Sequence, residues 1–141
     1  TLTDRLRGAQ GYVHLTVLGG AQVDGPVIEV GDGWAVVGHV PPGHAEPTSA
    51  HLVQVDAVLT LSSLDLAAPV PGALRPRSLA SLLRSWCRDR SDLTLTLVDG
   101  TRLVGRASAA YADHLEIAAE HGEVVSVPFA AVATVGRAHL L

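Results

Sequence analysis

Histidines are the first side chains in this 141-residue chain that could perform chemistry. His39, His44 and His51 lie in or beside a Pro-rich segment that also contains Glu46. Three imidazoles and a carboxylate form a ligand set that zinc accepts. Their spacings of five and seven residues match no compact ligand motif, so we expect loop polarity here rather than a metal site.

A second polar group lies towards the C-terminus. His114 and Glu116 are two residues apart, so on a strand they would share one face and could form a general acid–base pair. Further polar residues follow them: Glu120, His121 and Glu123. Such a group is more often a solvated face, and no serine lies in a nucleophile-elbow pattern. We therefore expect no enzyme, and we predict no catalytic residue, metal or cofactor.

Five arginines close together are the best candidates for nucleic-acid binding: Arg75, Arg77, Arg84, Arg88 and Arg90. They would form either a solvated helix face, balanced by Asp89 and Asp92, or a face that contacts phosphates. Residues 1–70 carry a net charge of −5 and residues 71–141 a net charge of +1. Neither half has the positive excess that drives binding to a phosphate backbone, so nucleic acid is a possible partner but not the favoured one.

Two segments of the chain are nearly the same. Residues 13–27 superpose without a gap on residues 93–107, which places Gly20 on Gly100 and Gly25 on Gly105. Each segment begins with alternating apolar and polar residues, turns at its first glycine and reaches its second glycine five residues later. A repeat of about 80 residues has the size of a small domain. We predict two copies of one small β-domain.

The match continues if one extra residue is allowed in the second copy. Residues 31–37 then lie on 112–118, which places Trp34 on Leu115, and residues 53–61 lie on 127–135. The segment between these matches is a Pro-rich loop, 39–50, in the first copy and the shorter 120–123 in the second.

Periodicity predicts the elements of each copy. A helix over 78–89 has one apolar stripe at 3.6-residue spacing that includes Leu82, Trp86 and Cys87, with Ser78 as its N-cap. Trp34 and Trp86 are expected in the core or an interface. Residues 1–11 contain the end of a short helix. Strands are predicted at 12–18, 22–30, 33–39, 51–55, 57–62, 92–98, 102–110, 113–119, 124–128 and 130–136. The predicted domains are 1–64 and 78–141, joined by a Pro-rich linker, 65–77.

Composition narrows the setting of the protein. The chain has no Lys, Asn or Met, which suggests a GC-rich bacterial genome and a chain that begins after its natural start. Its one cysteine, Cys87, allows no internal disulfide and no cysteine metal site, and it is expected to be a buried apolar residue. No stretch approaches 18 apolar residues, so we expect a cytoplasmic protein with no membrane partner.

The repeated motif resembles the Sm/LSm family. A short helix, five strands and the pattern L-x-x-G-x-x-x-x-G are similar to its first motif, which reads L-V-D-G-T-R-L-V-G over 97–105 and V-L-G-G-A-Q-V-D-G over 17–25. The resemblance implies a mainly β protein made of two tandem five-stranded Sm/SH3-like small barrels, each preceded by a short α-helix. The first glycine serves the turn, and the second permits a sharp bend in a long strand.

The resemblance also identifies the positions where the family binds single-stranded RNA. The base-contacting Asn position falls on Ala35 and Glu116 in the two copies. The second motif, which normally supplies a cation, falls on residues 54–57 and 128–131, where neither Arg nor Lys occurs. The residues that make the fold are present and those of the base pocket are not.

Two functions follow as hypotheses. The leading one is a non-enzymatic interaction and assembly module, because barrels of this family associate by pairing open strand edges. Its partner would be a second copy of the chain or another protein. The alternative is RNA or single-stranded nucleic-acid binding through the Arg-bearing second copy.

Overall fold

The chain is mainly β, and its strands follow from the alternation of apolar and polar residues. The computed structural model describes residues 1–63, 68–72 and 75–139. Each half consists of one α-helix, four strands, a short 3₁₀ turn and a fifth strand. The elements are α1 (Leu2–Gly8), β1 (Tyr12–Val17), β2 (Gln22–Val30), β3 (Trp34–His39), β4 (Ser49–Gln54), β5 (Val58–Ser62), α2 (Leu79–Arg88), β6 (Asp92–Leu97), β7 (Arg102–Ala110), β8 (His114–Ala118), β9 (Val124–Pro128) and β10 (Val132–Arg137). Residues 65–67 and 73–74 of the predicted linker lie outside the described residues.

All ten strands form one antiparallel sheet in the order β5-β1-β2-β3-β4-β10-β6-β7-β8-β9. The first five positions and the last five repeat one strand order, as expected for two copies of one unit. The pairing irregularities also repeat. The register shifts between Val27 and Glu29 in the first half and between Ala107 and Ala109 in the second. A β-bulge therefore bends the long second strand of each half at the same place.

Strand pairing corrects the alignment of the two copies. Val30 pairs with Ala35, and Ala110 pairs with Leu115, so Ala35 corresponds to Leu115 rather than to Glu116. Trp34 accordingly corresponds to His114 and not to Leu115. The prediction of one extra residue was wrong because the turns before β3 and β8 have equal length, 31–33 and 111–113. Ala35 and Leu115 are both fully buried, so both residues at this equivalent position belong to the core.

The repeated glycines meet two physical requirements. Gly20 and Gly100 have positive φ values of 85° and 92° in the turns after β1 and β6, a region that side chains disfavour. Gly25 and Gly105 allow close approach of strands. A Cβ at Gly25 would collide with the carbonyl oxygen of Gly38, and one at Gly105 would lie 2.6 Å from the carbonyl oxygen of Ala118.

Helix α2 packs mainly against β7 of the second half. Ser78 caps it by accepting a hydrogen bond from the Ser81 backbone N–H at 3.1 Å. Its Leu82, Leu83 and Trp86 are buried in a cluster that contains Trp34 of the first half and Leu95 of the second. The predicted apolar stripe is confirmed, and its side chains belong to a cluster with members from both halves.

Two apolar clusters make up the core. The smaller one is formed almost entirely by the first half, but it includes Ala133 from β10. The larger one is formed by the second half and α2, and it includes Trp34, Val36 and Leu52 from the first half. Each half therefore contributes side chains to the core of the other. Within the described ranges, no helix is both long enough and apolar enough to cross a membrane.

Candidate functional site

The two halves meet where β4 pairs with β10, and we call this pairing the seam. Its register places Val53 opposite Thr134, Leu52 opposite Val135 and His51 opposite Gly136. At one end of β4, the side-chain Nε2 of Gln54 donates to the carbonyl oxygens of Phe129 and Val132, the second at 3.0 Å. The seam is thus an extended strand pairing with a polar lock at one end.

Strands β5 and β9 are the two ends of the sheet. Among the strands that the structure describes, each of them pairs with a single neighbour. In the repeat, β5 corresponds to β10 and β9 corresponds to β4. The two outer edges are therefore the counterparts of the two edges that pair at the seam. An unpaired edge presents a row of backbone N–H and C=O groups to any strand that can align with it.

The side chains of β5 fit this correspondence. Thr60 lies opposite Thr16 and Thr134 lies opposite Thr96, so the preceding residues, Leu59 and Ala133, are equivalent. Ala133 is 0% exposed because the first half covers it across the seam, whereas Leu59 is 61% exposed. On the opposite edge, Val124 of β9 is 56% exposed. Both outer edges therefore carry exposed apolar side chains, at positions whose counterparts are covered at the seam.

The outer faces of β3 and β8 differ in character. Trp34 and Val36 on β3 are buried in the larger apolar cluster, and the Trp34 indole donates to the Arg77 carbonyl oxygen at 2.9 Å. Their equivalents on β8 are His114 and Glu116, which are partly exposed. The outer face of the second half is polar where that of the first half is apolar.

The predicted acid–base residues lie on this polar face. His114 Nδ1 lies 2.6 Å from Asp113 Oδ1, and the imidazole stacks on Tyr111 with ring centroids 4.6 Å apart. The hydrogen bond with His114 lowers the pKa of Asp113. The His114 ring is thus held by its neighbours in sequence, and the site faces outward from the sheet.

The five candidate arginines lie in different environments. Arg77 forms an ion pair with Glu29 at 3.4 Å, and Arg84 donates from Nε to the Ala110 carbonyl oxygen at 3.2 Å. Arg75, Arg88 and Arg90 are exposed. Two of the five side chains therefore stabilise the fold, and three remain available to a ligand.

The histidines of the Pro-rich segment are not brought together with acidic residues. In the part of the chain that the structure describes, no three His, Cys, Asp or Glu side chains form a group that could hold a metal ion. His51 lies on β4, and burial lowers its pKa, with a further contribution from His39. Burial likewise raises the pKa of the Cys87 thiol, which packs against the larger apolar cluster.

A cleft of about 490 Å³ lies over the seam, and we call it the seam cleft. It is bounded by β4, β10, β6, β7 and the turn between β1 and β2. The polar side chains that line it include Ser49, His51, Thr94, Thr96 and Arg102. The sequence motifs did not indicate Arg102 as a residue of a cleft. Comparison of the two copies does single it out, because the equivalent residue of the first copy is Gln22. A residue found in one copy only is not required by the repeated fold.

Comparisons with protein-family models, curated proteins and solved structures found no match to this chain.

Proposed function

We propose that this protein is a non-enzymatic, Sm-like assembly module, in which each chain supplies two tandem bent barrels and pairs with further copies through its two outer strands. The observation that carries this proposal is the correspondence of edges: β5 and β9 are the repeat counterparts of β10 and β4, which already pair at the seam. Each chain therefore has two complementary edges at opposite ends of its sheet, and they do not pair with each other within the chain.

The seam predicts the register of the contact between chains. Transferred through the repeat, it places Leu61 opposite Ser126 and Ser62 opposite Val125 of the next chain. Leu59 would then enter the position in which Ala133 is covered at the seam. Because the contact joins two different edges, it is heterologous and generates either a closed ring or an open filament.

The contact between chains is expected to be weaker than the seam. Covering the exposed part of Leu59 contributes roughly 1–2 kcal/mol. The seam also gains from the burial of Trp34, Val36 and Leu52 in the larger apolar cluster. Their positions on the second half are occupied by His114, Glu116 and Ser126, so a neighbouring chain would find less apolar surface there. The assembly should therefore be reversible and depend on concentration.

Molar mass in solution is the first test. Light scattering and sedimentation over a range of concentrations should show multiples of the 14.6 kDa chain. A chain that remains monomeric up to about 1 mM, where even a contact of roughly 4 kcal/mol would be populated, would contradict the proposal.

A disulfide tests the register. In a Cys87→Ser background, the pair Ser62→Cys and Val125→Cys should cross-link chains under mild oxidation, because directly opposed Cβ atoms lie about 4.5–5.5 Å apart. The matched control pairs Ser62→Cys with Ser126→Cys, whose side chains point to opposite faces. Equal cross-linking by both pairs would rule out the predicted register.

Nucleic-acid binding by the second half is a weaker proposal, because Arg77 and Arg84 already have partners within the fold. If Arg75, Arg88 and Arg90 contacted phosphates, the slope of log K against log salt would be about −2 for a single strand. Sub-micromolar, base-selective binding that survives replacement of these arginines would make RNA binding the better proposal.

A further inference from the structure

We propose that the seam cleft binds a small organic anion, a carboxylate or a phosphate monoester, with Arg102 as its charged anchor. This site is separate from the two outer edges, and it does not depend on the assembly of chains.

Both halves are needed to build the cleft. The turn between β1 and β2 forms one wall, and it lies against the corresponding turn of the second half. A Cβ at Gly19 would collide with the Leu97 carbonyl oxygen and would lie 3.3 Å from the backbone nitrogen of Gly100. Glycine at this position lets the two turns touch, which closes one end of the cleft.

Arg102 is the uncompensated charge of the cleft. Two other charged residues at its border have partners: Asp92 with Arg106 at 3.6 Å, and Arg137 with Asp89 at 2.9 Å. Within the described part of the chain, Arg102 forms no ion pair and no side-chain hydrogen bond. A guanidinium next to a concave surface favours a carboxylate or a phosphate, either of which it can hold with two parallel hydrogen bonds.

The threonines beside Arg102 differ from their first-half equivalents. The hydroxyls of Thr16 and Thr60 lie 2.5 Å apart and bond to each other. No such hydrogen bond joins the equivalent Thr96 and Thr134 among the described residues. Thr96 lines the cleft and is partly exposed, so its hydroxyl group is free to donate to a ligand, whereas Thr134 is buried.

His51 adds a polar side chain to the wall opposite Arg102. It lies opposite Gly136 on β10, and a Cβ at that glycine would be 3.2 Å from His51 Nε2. The equivalent residue of the first half is Ser62. Because Gly136 has no side chain, there is room at the seam for the His51 imidazole. Because burial lowers its pKa, His51 is neutral at pH 7 and supplies one donor and one acceptor.

Size and charge identify the class of ligand. A volume of about 490 Å³ lies in the range of small-molecule sites, roughly 300–1,000 Å³. One unpaired cation surrounded by hydroxyl groups suits a single anionic group on a small polar molecule. A nucleic-acid strand would need a row of cations, which the cleft does not offer.

The test uses glycerol 3-phosphate and succinate as probes, at constant ionic strength, with glycerol as the neutral control. Amide NMR shifts are followed during titration of the wild-type chain and of two variants. Arg102→Gln introduces the residue of the first copy, and Arg88→Gln removes an exposed arginine of α2. We expect saturable shifts at Gly20, Thr96 and Arg102, and at least about a tenfold loss of affinity in Arg102→Gln only.

The probe that binds more tightly distinguishes a phosphate from a carboxylate ligand. Non-saturable shifts with both probes, equal affinities for wild type and Arg102→Gln, or saturable shifts confined to other surfaces would each overturn the proposal. Unfolding midpoints of the three proteins confirm that the exposed substitutions leave the fold intact. None of these outcomes bears on the outer edges, so failure here leaves the assembly proposal standing.

Discussion

Replacing Leu59 by Asp should abolish association between chains while leaving the monomer folded. Leu59 is 61% exposed on an unpaired edge, so the monomer loses little when it is replaced. In the proposed contact, the variant forfeits roughly 1–2 kcal/mol of apolar burial. It also places a carboxylate without a partner in a desolvated strand pairing, at a cost of at least about 1–3 kcal/mol. The combined effect, about 3 kcal/mol, raises the dissociation constant roughly a hundredfold.

Sedimentation equilibrium measures this change directly. The matched control is Ile28→Asp, because Ile28 is 48% exposed on β2, a strand with neighbours on both sides. Wild type and Ile28→Asp should associate alike, and Leu59→Asp should remain monomeric. If Leu59→Asp associates as tightly as wild type, β5 is not the contacting edge. If both variants are monomeric, added negative charge rather than edge pairing explains the loss.

Three further predictions concern the fold. Trp86 is 4% exposed, so Trp86→Ala should lower the free energy of unfolding, measured by urea titration, by roughly 3–5 kcal/mol. Tyr12 is exposed, and the control variant Tyr12→Ala should lose less than about 1 kcal/mol. Gly105→Val should cost about 1–3 kcal/mol or more by the same assay, because a Cβ there would lie 2.5 Å from Ile117 Cγ2; an unchanged midpoint would show that the strand can shift. The pKa of His51 lies below its ordinary 6.5 in the folded chain, so the unfolded chain binds more protons, and the free energy of unfolding should fall as the pH drops below 6.5. His51→Gln should reduce this dependence of stability on pH. If wild type and His51→Gln lose stability in parallel, other groups cause the loss.

Local features of the fold could be predicted from the sequence because they depend on local patterns. Period-2 alternation predicts the strands, and the 3.6-residue stripe with Ser78 before it predicts α2. The burial of Trp86 follows from its place on that stripe. These features are determined by residues close together in the chain.

The seam could not be predicted in the same way. The pairing of β4 with β10 joins residues about 80 positions apart, and no periodicity specifies which edge meets which. The alignment of the copies failed at Trp34 for a related reason. Trp34 is apolar like Leu115, but it belongs to the outer face, and it is buried in the cluster that the second half and α2 form. A buried outer face looks like a core face in the sequence.

Tandem duplication limits the assemblies that this chain can form. The seam lies within one chain, whereas the proposed contact between β9 and β5 would join separate molecules, so strong and weak junctions would alternate around the assembly. Every chain contributes two five-stranded units, and a closed ring must use whole chains. A ring built by the proposed contact therefore contains an even number of units, and a ring of seven is impossible. In such a ring each β9 edge would pair with the β5 edge of another chain, and each seam cleft would lie within a single chain.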